Sequence, residues 1–175
     1  MCLATTAPDV RRAKASGKVA IFIGVEGGHA IEGSLDHLRE LERRGACYLT
    51  LTWNNGNAWA GSSIGSGDTR TGGLTKFGRE VIAELNRLGM LVDVSHTSSE
   101  TLADVLAASE APVIASHSSA RALSDHPRNL TDDELRAIAA PGGVICINFY
   151  SRFIETRVRD AMDAAAPAVG VLRLA

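Results

Sequence analysis

Cysteine is scarce and unpatterned in this chain. Three residues, Cys2, Cys47 and Cys146, are odd in number, scattered, and in no Cys-x-x-Cys spacing. That argues against a disulfide framework or a structural zinc ribbon. Two of them lie inside apolar strand-like runs, where a free thiol behaves as a small hydrophobe. No apolar run approaches the roughly 18 residues of a membrane helix. The opening Met-Cys-Leu-Ala-Thr-Thr-Ala-Pro lacks the basic flank and long apolar stretch of a signal peptide. Neither sign of charge dominates: the net charge is −2 and no basic cluster is interleaved with aromatics, so a nucleic-acid partner is not expected. Together these absences predict a soluble protein of a reducing, cytoplasmic compartment.

What the chain does have is three strand-like apolar runs, each ending in a metal-grade side chain followed by turn chemistry. Residues 19–26 read Val-Ala-Ile-Phe-Ile-Gly-Val-Glu, then Gly27-Gly28. Residues 90–96 read Met-Leu-Val-Asp-Val-Ser-His, and residues 113–117 Val-Ile-Ala-Ser-His. Parallel α/β architectures gather ligands at the carboxyl ends of their strands. Glu26, His96 and His117 brought together there make a three-ligand zinc site of the open, catalytic kind.

The pattern between these runs supports such a scaffold. A chain of 175 residues is one domain by length and buries a real core. Strand signals at 19–25, 47–53, 90–94, 112–116 and 144–150 alternate with helix signals at 35–44, 76–88, 98–108 and 131–139. Ser34, Thr75 and the capping box Thr131-Asp132-Asp133-Glu134 open helices, and Gly45 and Gly89 close them. The strand runs are continuously apolar, which predicts a parallel α/β sheet covered on both faces. Residues 54–73 form a long turn-rich segment with six glycines, read as a flexible loop over the mouth of the site. It lacks the Gly-Lys-Ser/Thr ending of a phosphate loop. Trp53 and Trp59 flank its start and either wall a substrate pocket or pack the loop down.

Set in order, Gly24-Val-Glu-Gly-Gly-His29, Tyr48-Leu-Thr-Leu-Thr52, Gly78-Arg-Glu-Val-Ile-Ala-Glu-Leu-Asn-Arg-Leu-Gly89, Asp93-Val-Ser-His96, Ser116-His-Ser-Ser119 and Arg128-Asn129 resemble the membrane (renal) dipeptidase family over roughly residues 4–155. The resemblance implies a TIM-like (β/α)8 barrel, a binuclear zinc centre and hydrolysis of dipeptides. Carried over by position, Glu26 matches the glutamate that bridges the two zinc ions, and His96 and His117 match the histidines of the second zinc. Arg128 matches the arginine that holds the substrate's terminal carboxylate, a task suited to a bidentate guanidinium. Trp53 stands where many relatives place a substrate-contacting histidine, and is read as a subgroup trait.

The family pattern also includes an amino-terminal His-x-Asp pair and an aspartate on a later strand, and neither occurs in this sequence. The five strands match the third to the seventh of eight, and a whole barrel takes about 250 residues. The expectation is therefore a partial TIM-like barrel: residues 1–175 as one dipeptidase-like domain truncated at both ends, with 151–175 an unplaced tail. One zinc site is encoded by the chain's own ligands, no catalytic proton-relay residue is assigned, and dipeptidase activity is expected to be impaired. Two further readings stand beside it. One is a non-catalytic barrel fragment or pseudoenzyme acting as a binding or assembly module; separately, the open sheet edges leave room for a homo-oligomer or for a complementing chain that carries the missing strands. The other is an amidohydrolase-type enzyme acting on a non-peptide amide or lactone, against which Arg128 weighs.

The remaining polar residues read more plainly. His29 is expected to hydrogen-bond structurally, His37 to be solvated on its helix, and His126, before Pro127, to be exposed. Asp93 either orients a metal ligand from behind or is a buried structural carboxylate.

Overall fold

The computed structural model describes residues 1–65 and 72–172. A two-stranded parallel sheet pairs β1 (Cys2–Leu3) with β2 (Ala20–Ile21), bridged by α1 (Ala7–Ala15). The main sheet has five parallel strands in sequential order: β3 (Ile23–Glu26), β4 (Ala46–Thr50), β5 (Leu91–Asp93), β6 (Ile114–Ser118) and β7 (Val144–Ile147). Between them run α2 (Leu35–Arg43), α3 (Lys76–Leu88), α4 (Ser99–Ala108) and α5 (Asp132–Ala139). Sequential parallel strands joined by helices are one arc of a (β/α) barrel.

Local chemistry accounts for several helix boundaries, although Ser34 precedes α2 without a side-chain capping hydrogen bond. The Thr75 side chain accepts from the Gly78 amide to open α3, and Gly89, at φ 71°, closes it. Thr131 and Glu134 form the capping box of α5 reciprocally. A second capping box, Thr6 with Asp9, opens α1, a helix not among those expected from the sequence.

Register decides what each face carries. Val25, Leu49 and Val92 lie in one row across β3, β4 and β5, and Ala115 pairs with Ile145 across β6 and β7; Leu49, Val92 and Ala115 belong to the apolar core, and Val25 and Ile145 pack against it. The helices neighbour one another in turn over this face, and Val81, Ile82 and Leu85 of α3 are fully buried within it. Each such side chain stabilises the fold by about 1.5–3 kcal/mol. The opposite row holds Glu26, Thr50 and Asp93 in register. On that face Leu91 and Val144 remain 41% and 55% exposed, so helices cover one side of the sheet rather than two.

Four other expectations change. The run at 19–25 is two strands, because pairing shifts register between Ile23 and Gly24 and residues before Phe22 join the small sheet instead. The third run extends to Ser118, placing His117 inside β6. The unplaced tail contains α6 (Ser151–Ile154) and α7 (Thr156–Leu172), Pro167 and Gly170 notwithstanding. Finally, the loop after β4 is tied down where it is described. Ser98 N–H donates to Gly61 O and Ser63 N–H to His96 O, while Trp59 packs in the core edge-on to Phe77. Gly28 makes room for that tryptophan: a Cβ there would lie 2.3 Å from its ring. The loop's middle, 66–71, lies outside the described residues. No helix among the described residues is long and apolar enough to cross a membrane.

Candidate metal centre

Glu26 is the last residue of β3, His117 the penultimate residue of β6, and His96 lies three residues beyond β5. Parallel pairing brings all three strand ends to the same side of the sheet. His96 adopts φ 71°, a left-handed conformation that histidine tolerates better than most residues but that still costs about 1–3 kcal/mol. That turn, held by the Ser63 amide on its carbonyl, swings the ring back toward β3 and β6.

The donor atoms converge. His96 Nε2 lies 3.0 Å from Glu26 Oε1 and 2.9 Å from His117 Nε2, and His117 Nε2 lies 3.1 Å from the same Glu26 oxygen. Two neutral imidazoles and a carboxylate are the donor types a borderline cation takes. Tetrahedral coordination at about 2.0 Å puts ligand atoms about 3.3 Å apart, close to the triangle observed. The residues fit a metal ion.

Electrostatics keep His96 in the ligand form. Burial, then the charge of Arg128, then His117, bring its pKa down to about 3, against weaker raising by Asp93 and the Trp53 backbone. Its Nδ1 is buried and makes no hydrogen bond of normal geometry among the described residues. Arg128 is 4% exposed. Burial lowers its pKa to about 10, while Asp93 and Glu26 act to raise it. It remains a cation at neutral pH. Its Nη2 donates to His117 O, and its guanidinium lies 5.6 Å above the Phe153 ring. Beside it opens a cavity of about 660 Å³ with His96, Ser63, Ser118, Arg128 and Asn129 in its walls.

Residues 1–170 match the profile of the membrane dipeptidase family, peptidase family M19. The chain belongs to the membrane dipeptidase family. Members are metallopeptidases, and solved structures agree with the fold. A metallopeptidase from Rhodobacter sphaeroides, liganded with a phosphinate mimic of the dipeptide L-Ala-D-Ala, is 34% identical with a TM-score of 0.81, over 88% of this chain and 45% of its own. The probable dipeptidase PvdM from Pseudomonas aeruginosa is 36% identical with a TM-score of 0.78, over 84% and 38%. An amidohydrolase from Pseudomonas aeruginosa is 34% identical with a TM-score of 0.76, over 83% and 44%. The chain thus spans less than half the length of these relatives.

Within this membrane dipeptidase scaffold the other residues singled out by sequence have definite places. Trp53 is 49% exposed and its Cβ neighbours the Gly27 turn that follows Glu26. His29 Nε2 lies 3.0 Å from Gly56 O, a structural hydrogen bond as expected, and the His37 side chain is 53% exposed. His126 is half-buried rather than exposed. Its Nδ1 accepts from Arg128 N and its ring lies against Phe153, because α6 closes over the turn. Burial, then the neighbouring Arg152 and Arg128, lower its pKa. Two features escaped the sequence reading. Asn129 Nδ2 bonds both Ser124 O and Phe153 O, stapling the Arg128 loop to α6. Ser116 joins Asp93 to His117. The Ser-His dipeptide was visible, but which group the serine would meet was not.

Proposed function

We propose that Glu26, His96 and His117 hold zinc, and that the site serves hydrolysis of dipeptides. The observation that carries this is the triangle of three donor atoms, 2.9–3.1 Å on a side, with a buried arginine beside it. When bound, zinc lowers the pKa of a coordinated water toward neutrality and polarises a carbonyl oxygen. The chain's own residues supply the rest. Arg128 receives the substrate's terminal carboxylate through guanidinium N–H groups not committed to His117, which restricts the site to short peptides. Its position on Phe153 fixes the direction of that fork. Trp53 offers a half-exposed apolar wall at the Glu26 side. The same arginine favours a substrate with a free carboxylate over a non-peptide amide or lactone.

Zinc stoichiometry on the purified chain, paired with hydrolysis of a simple dipeptide, tests this reading. One tightly bound zinc, lost in His96→Ala and in His117→Ala, is the expected result. A wild-type chain that binds no zinc, or variants that bind as well as it does, would overturn the assignment.

A further inference from the structure

The two histidines point at the same place but are held in different ways. His96 Nδ1 has no partner of normal geometry among the described residues, whereas His117 Nδ1 lies 2.7 Å from Ser116 Oγ. Ser116 Oγ in turn lies 2.5 Å from Asp93 Oδ2. Asp93 is fully buried and surrounded by donors. The amides of Ser95 and Ser116 each lie 3.0 Å from Oδ1, and the Thr50 hydroxyl lies 2.6 Å from Oδ2.

A serine hydroxyl has one proton to give. The carboxylate only accepts, so the Ser116 proton goes to Asp93. The oxygen then offers its lone pair to His117, which requires the His117 proton to sit on Nδ1. That leaves Nε2, the atom facing Glu26 and His96, with its lone pair exposed. We propose that Asp93, acting through Ser116, is a positioning residue that sets the tautomer of His117 and so presents Nε2 as a ligand atom. The inference rests on the metal reading above.

Glu26 pulls the other way, since its Oε1 could accept a proton from His117 Nε2. That contact and the one from His117 Nε2 to His96 Nε2 are both longer, 3.1 Å and 2.9 Å against 2.7 Å, and the Glu26 side chain is 48% exposed and screened by water. The relay is drier and shorter, so it prevails. A bond from the His117 amide to Ser95 Oγ, 3.0 Å, anchors the same strand and keeps the ring beside Ser116. Hydrogen-bonding partners behind a metal-bound histidine orient it and select its tautomer.

The test reads side-chain ¹⁵N resonances of His117 in the metal-free full chain at alkaline pH, alongside competitive Zn²⁺ titration. Wild type is expected to show Nδ1–H. In Asp93→Asn the amide oxygen can keep the two backbone donors while the amide nitrogen donates to Ser116 Oγ. The serine proton then turns to His117 Nδ1, the ring is left protonated on Nε2, and Zn²⁺ affinity falls about 10- to 100-fold. Ser116→Ala should abolish the tautomer preference, and Ser116→Thr, which keeps the hydroxyl, should restore it. Thr50→Val strips another hydroxyl from the same carboxylate, so it should lower stability but leave the tautomer alone. Nε2–H in wild type, or Nδ1–H unchanged in both Asp93→Asn and Ser116→Ala, overturns the relay. So does Thr50→Val moving the tautomer as far as Ser116→Ala does. A wild-type chain that shows the predicted tautomers yet takes up no Zn²⁺ supports the relay and defeats the metal reading, so the two failures are distinguishable.

Discussion

The guanidinium of Arg128 donates through Nη2 to the backbone carbonyl of His117, 3.2 Å away, although the two residues are eleven apart. The candidate carboxylate receiver is therefore tied directly to the backbone of a candidate metal ligand. Arg128→Ala is expected to weaken recognition of a free terminal carboxylate by about 10- to 100-fold, the range for losing hydrogen bonds to a charged group. KM for dipeptides should rise by that factor while KM for carboxyl-blocked analogues barely changes. If both classes lose equally, Arg128 is a structural residue. Binding of a phosphinate dipeptide mimic, followed by calorimetry, gives the same comparison where turnover is slow.

Acid should destabilise the metal-free fold in two stages. In the folded chain His96 accepts a proton only near pH 3, chiefly because it is buried, whereas an unfolded histidine does so near 6.5. The unfolded state binds that proton first. Stability from this group is complete above about pH 6.5 and is lost as pH falls toward 3, by up to about 1.4 kcal/mol per pH unit. Glu84 adds a lower window. Hydrogen bonds from Arg87, then Arg39, hold its carboxyl at about 2 rather than the ordinary 4.5, so its contribution is lost as pH falls between those values. Urea midpoints at several pH values, with chelator present, measure both. His96→Asn should flatten the upper window and spare the lower one.

Gly78 sits in the first turn of α3, where helix propensity alone would reward alanine. The packing says otherwise. A Cβ at Gly78 would lie 2.6 Å from the backbone carbonyl of Trp59, which cannot swing aside as a side chain could. We expect Gly78→Ala to cost about 1–3 kcal/mol, as overpacking does. A denaturation midpoint at or above wild type would show that the loop yields.

Thr101 pins both flanks of the glycine-rich segment. Its Oγ1 accepts from the Gly61 amide and lies 3.0 Å from Gly61 O and 3.1 Å from Gly72 O, with no exposure to solvent. Thr101→Val keeps the shape and removes the hydroxyl. The expected cost is about 1–3 kcal/mol, because buried groups lose their partner. Limited proteolysis between residues 54 and 73 should accelerate. Thr101→Ser, which retains the oxygen, should stay near wild type.

What the sequence determined by itself was much of what is written locally, though the capping box of α1 and the helices of the tail went unread. Continuous apolar runs closed by turn residues located the strands, and caps such as Thr75 and Thr131 located the helices. Glu26, His96 and His117 stood out because each is the polar end of such a run, and strand ends share one side of a parallel sheet. Tertiary structure alone decided which side chains meet. Asp93 reaches Ser116 only because β5 lies beside β6, and Thr50 reaches Asp93 only through the register of β4 on β5. Phe153 supports Arg128 because α6 folds back over a turn 25 residues earlier in the chain. Periodicity records which face a residue occupies, never its neighbour across the sheet. Proton placement at His117 is a property of that neighbour, so it belongs to the fold.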